Sequence, residues 1–104
     1  MNDPYEFWRR KIDEVDRRLL RLLAERAAYA VEIGNIKYER GEAVYDPKRE
    51  EEVMENVRRH RDGRLDEKAV QRIFERIIDE TRRLEREHRK RLEASESRPR
   101  EMEP

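Results

Sequence analysis

The chain has 104 residues, half of them Asp, Glu, Lys or Arg, with 26 acids against 26 bases. That length suits one small domain, and a formal net charge of zero argues against a nucleic-acid binder, whose footprint is a basic face. Cysteine is absent, which excludes disulfides, a thiol nucleophile and cysteine-metal sites; no apolar run approaches about 18 residues and no secretory segment is visible, so the expected compartment is the cytoplasm, away from membranes.

Asp3 and Pro4 are spaced as an N-cap and first helical residue, and a single helix is predicted from Tyr5 to about Tyr38 or Glu39. Trp8, Ile12, Val15, Leu19, Leu22, Arg26, Tyr29, Ile33 and Lys37 follow one another at steps of three or four, the period of one helix face. Such a rod is roughly 50 Å long. A compact chain of this size has a radius of gyration of about 13 Å, so the far end overshoots its own domain and calls for a second copy. Gly41 ends the helix, and a short loop carries Val44 and Tyr45.

Asp46-Pro47 opens a short second helix with the stripe Glu50, Val53, Met54, Val57, ending near Arg59 or His60. Asp62-Gly63 marks a turn, and Asp66 caps a third helix whose inner face takes Val70, Ile73, Phe74, Ile77, Ile78, Thr81, Leu84 and Glu85. Past Lys90 the periodicity dilutes among charges, serines and prolines. The predicted organisation is a helical domain over 1–93 and a disordered charged tail over 94–104. No segment alternates as a strand does, so the fold class is all-α: one long, one short and one medium-long helix, with an intertwined homodimer favoured because nothing breaks the long helix.

The chemical content lies in charges on inward faces: Arg26 and Lys37 on the first helix, Arg49 and Glu50 on the second, Thr81 and Glu85 on the third. An unpaired buried charge costs several kcal/mol, so these groups either pair with one another or meet a polar ligand. More cations than acids suit a small anion, gripped by the arginine fork. Nucleophilic catalysis finds only Ser95 and Ser97 in the tail, with His60 and His88 outside any triad-like arrangement. Glu85 and His88 form one Glu-x-x-His spacing without a counterpart, so no metal is expected. Gly-rich phosphate loops are missing. What remains is a reaction helped by electrostatics and shape.

Ile12-Asp13-Glu14-Val15-Asp16, Leu19 to Arg26, Ile33-Gly34, Lys37 and Val44 to Glu50, in that order and at those separations, resemble the all-helical chorismate mutases. The resemblance covers roughly residues 5 to 90. It implies a homodimer that exchanges its long first helix and shares its active sites. It implies chorismate as substrate, rearranged to prephenate by an intramolecular Claisen shift that requires no cofactor, within aromatic amino-acid biosynthesis.

Residue by residue, the resemblance implies that Arg26 binds a substrate carboxylate and that Arg9 reaches across from the other protomer. Lys37 would stand at the ether oxygen, Glu50 and the backbone near Asp46 at the ring hydroxyl, and Arg49 would add positive potential. Thr81 stands where many members have Ser, and Glu85 where many have Gln. A carboxylate donates a hydrogen bond only when protonated, so Glu85 is expected either to work as a neutral acid or to pair with Lys37. Two alternatives remain open at this level: a relative with isochorismate pyruvate lyase activity, and a non-catalytic regulatory or interaction domain, in which a pathway enzyme could be the partner.

Overall fold

Each helix begins where a short acid meets exposed backbone N–H groups. In the computed structural model, which describes residues 3–97, the elements are α1 (Pro4–Glu39), α2 (Pro47–His60) and α3 (Glu67–Ser97). Asp3 accepts from the Tyr5 N–H at 3.0 Å, Asp46 from the Arg49 N–H at 3.1 Å and Asp66 from the Ala69 N–H at 3.3 Å, with Pro4 and Pro47 at first helical positions. These caps satisfy N–H groups that no helical turn can reach. No strand occurs among the described residues.

α1 ends on a left-handed glycine. Gly41 has φ +66, its N–H donates to the Tyr38 carbonyl at 3.2 Å, and the Glu42 N–H donates to the Lys37 carbonyl at 2.8 Å. That pair of bonds closes the helix and turns the chain sharply back. The turn brings the Val44 carbonyl to 2.9 Å from Lys37 Nζ, so the loop is tied to the last turn of α1 just before α2 begins.

α3 is the shared wall, packing against α1 on one side and α2 on the other. Val70 and Ile78 are the buried hydrophobic residues of α3, while Phe74, Ile77, Thr81 and Leu84 are half-buried and Ile73 is exposed. Gly34 on α1 is buried against α3; a Cβ there would lie 3.7 Å from His88 Cδ2 and 3.9 Å from Glu85 Cγ. A small residue thus lets the two helices approach beside Glu85.

The structure corrects the predicted tail in part. α3 continues to Ser97, so residues 94–97 are helical rather than disordered, and 98–104 lie outside the described residues. Arg91, Leu92, Glu93 and Ala94 are good helix formers that sustain the helix without an apolar stripe. The overshoot of α1 is present: the radius of gyration is 19.5 Å and the longest extent 73 Å. Residues 3–25 are exposed along their whole length, including Trp8 at 63%, Ile12 at 58% and Leu22 at 61%. No helix among the described residues is long and apolar enough to cross a membrane.

Candidate active site

Where the C-terminal half of α1 faces α3, and the start of α2 closes the side, a pocket of about 300 Å³ collects most of the inward charges. Arg26, Lys37, Asp46, Arg49, Glu50, Thr81 and Glu85 all line it. Arg9 does not; it lies near the free end of α1, with its guanidinium 5.4 Å from the centre of the Tyr5 ring. Seventeen residues of helix separate it from Arg26, about 25 Å along the axis.

Arg26 is held by a hydroxyl, not by a carboxylate. Its Nη1 donates to Thr81 Oγ1 at 2.6 Å, and Thr81 in turn donates to the Ile77 carbonyl at 2.7 Å. The threonine hydrogen is therefore spent within its own helix, leaving the oxygen as an acceptor that fixes the guanidinium. Burial holds the Arg26 pKa below the ordinary arginine range, the nearby Arg49 charge adds to that, and Glu85 opposes it. A cation desolvated beside another cation gains from an incoming anion.

Lys37 is fixed from two sides, by the Val44 carbonyl at 2.9 Å and by Glu85 Oε1 at 3.5 Å. Glu85 is the buried charged residue among those described, at 8% exposure. Glu85 thus lies within ion-pair distance of Lys37, the contact that one of its two expected arrangements requires. One turn further along α3, His88 Nε2 lies 2.6 Å from Asn35 Oδ1, so the Glu-x-x-His spacing leads to a contact with α1. Among the described residues no group of His and carboxylates is arranged to hold a metal ion.

Arg49 lines the pocket and at the same time reaches Glu52 at 3.3 Å, one helical step away on the exposed side. Asp46 spends Oδ1 on the cap of α2. Glu50 is gripped by Arg82, a residue that sequence reasoning missed: Nε donates to Oε2 at 3.0 Å and Nη2 to Oε1. The signal was available, because Ile78, Arg82 and Glu85 are spaced by four and three along α3 and so share the inward face. The Glu50 hydrogen bonds hold the Arg82 pKa above its usual range.

The pocket thus presents four cations (Arg26, Lys37, Arg49, Arg82) and three carboxylates (Asp46, Glu50, Glu85) around the apolar floor of Ala30, Ile33, Val53 and Ile78. No serine, cysteine or histidine lines it; it can hold an anion, orient it and stabilise negative charge that develops near Lys37.

Comparison with known proteins agrees with this chemistry. A family described as chorismate mutase type II matches residues 8–86. A chorismate mutase of Methanocaldococcus jannaschii is 32% identical over 81 residues, which span 77% of this chain and 82% of that protein. A bifunctional chorismate mutase/prephenate dehydratase of Neisseria gonorrhoeae is 38% identical over 78 residues, 75% of this chain but only 21% of the bifunctional protein. The solved structure of a chorismate mutase (form II) from Thermus thermophilus is similar with a TM-score of 0.78 and 33% identity, over 81% of this chain and 96% of that one.

Proposed function

The chain belongs to the chorismate mutase type II family, and from that premise we propose that two copies exchange their long first helices to build shared sites, in the cytoplasm, with residues 1–93 as the functional domain. The enzyme is an isomerase of aromatic amino-acid biosynthesis that turns chorismate into prephenate. In this rearrangement the ether C–O bond breaks as a C–C bond forms within one molecule, so no nucleophile and no cofactor takes part.

The observation that carries the proposed roles is the convergence of Arg26, Lys37 and Arg49 on one 300 Å³ pocket beside a fixed Glu50. Arg26, held by Thr81, binds one carboxylate of the substrate and selects the folded conformer in which the reacting carbons approach. Lys37 faces the ether oxygen, where negative charge grows in the transition state. Glu50, with the backbone near Asp46, takes the ring hydroxyl, and Arg49 adds positive potential.

Charge supports the exchange of helices. The pocket of one chain has a single cation in excess, whereas chorismate brings two carboxylates. Arg9 of the second copy supplies the missing charge, and the exposed stripe of Trp8, Ile12, Val15, Leu19 and Leu22 supplies the surface that carries it there.

The test is chorismate consumption by the purified protein with prephenate identified as product. Arg26→Ala is expected to lower kcat/KM by about 100-fold or more, the scale on which a preorganised charge-stabilising group acts. Wild-type protein without turnover would sink the assignment, and a variant that matches an active wild type would sink the role given to Arg26.

A further inference from the structure

We propose that Arg82 is a positioning residue of this enzyme, a clamp that keeps Glu50 turned to the substrate's ring hydroxyl and away from the cations that bind carboxylates. The inference rests on the mutase reading above and adds a residue to it.

Glu50 stands at the mouth of α2 with Arg26, Lys37 and Arg49 lining the same pocket. An unrestrained carboxylate there would swing onto one of them and compete with the substrate for it. Arg82 prevents this by geometry: its Nε and Nη2 meet one Glu50 oxygen each, the fork that fixes a carboxylate in plane as well as in position. The clamp is itself held. The Tyr45 ring lies 5.0 Å from the Arg82 guanidinium carbon, and Asp79 Oδ1 stands 3.7 Å from Nη1.

Exposed ion pairs contribute little, but this pair is only 26% exposed on each side and faces the pocket. The fork uses one lone pair on each Glu50 oxygen, and a carboxylate has about four such sites. Glu50 therefore keeps acceptor capacity for one hydroxyl while its charge is neutralised. Such a site favours a ligand that donates at this position and rejects one that presents a ketone or a further carboxylate.

The experiment measures kcat and KM for chorismate with wild type, Arg82→Met, Glu50→Gln and the double variant. It adds the inhibition constant of a cyclic dicarboxylate lacking the ring hydroxyl. Arg82→Met is expected to raise KM about tenfold with kcat within about threefold, since it loosens a charge-assisted contact made before the chemical step. On the Glu50→Gln background the same change should cost under about twofold, and on the wild-type background the hydroxyl-free compound should weaken less than chorismate does, because it loses only the competition for the cations and not the hydroxyl contact.

An equal KM penalty on both backgrounds, an unchanged KM, or equal weakening of the hydroxyl-free compound would overturn the clamp while wild-type turnover still upheld the mutase reading. Absence of wild-type turnover would instead remove the premise. Should Arg82→Met melt below the assay temperature, Arg82→Lys, which keeps charge but loses the fork, should raise KM about threefold; a wild-type KM there would count against the clamp.

Discussion

In the proposed reaction Lys37 is the cation nearest the ether oxygen, and Glu85 partly cancels its charge. A carboxylate 3.5 Å from the ammonium weakens the positive field at the point proposed for the ether oxygen. Glu85→Gln removes the opposing charge and offers an amide N–H in its place. The expected outcome is a rise in kcat/KM of about tenfold at neutral pH, within the range that one charge at this distance commands. A loss of activity would mean that Glu85 acts as a protonated donor. The inward positions of Arg26, Lys37, Thr81 and Glu85 were legible because a three- or four-residue step fixes angle regardless of residue type. Arg82 was not singled out because it sits among 26 basic residues, most of them on solvated faces. That Thr81 spends its hydrogen on Ile77 is a rotamer fact, invisible in spacing.

At the scale of elements, the caps were readable and the end of α3 was not. Asp3-Pro4, Asp46-Pro47, Asp66 and Gly41 each carry a local signal, and the structure uses all four. The last turns of α3 add a contact with α1 to the helix propensity of their residues. The Tyr38 phenol is pushed up to about 12, mainly by its hydrogen bond to Glu96, with burial and the charges of Glu96 and Glu93 adding and Arg89 opposing. Arg89 lies 5.7 Å from the centre of that ring and donates to the Glu42 carbonyl at 2.7 Å.

A raised folded-state pKa stabilises the neutral phenol. This contribution is complete below the ordinary value of 10.0 and is lost as pH rises through about 12. Tyrosinate absorbance should therefore show a late-titrating phenol that Tyr38→Phe removes. An unchanged titration curve in that variant would show that the end of α3 does not dock on Tyr38.

For the whole molecule, the separation of Arg9 from the pocket is the deciding geometry. If each site takes Arg26 from one copy and Arg9 from the other, a dimer that pairs an Arg9→Ala chain with an Arg26→Ala chain holds one intact site and one doubly damaged site. Two nearly inactive variants, unfolded and refolded together in equal amounts, should recover about a quarter of wild-type activity, because random pairing makes about half the dimers hybrid. No recovery on mixing would place Arg9 outside the other copy's site. In the sequence the proposed exchange is signalled by length, through a helix with no breaker that is longer than the domain it belongs to, and by the family resemblance.

The unpartnered first half of α1 also bears on how the helix is made. Its C-terminal turns close against α3 around Gly34, whereas residues 3–25 are exposed throughout. Starting a helix is the costly step and lengthening it is cheap. The packed end therefore acts as the seed, and helical order spreads from it toward the N-terminus. Within a lone chain the outer turns are held by propagation and the Asp3 cap, so they fray first, and the apolar stripe melts back toward the pocket rather than outward from it.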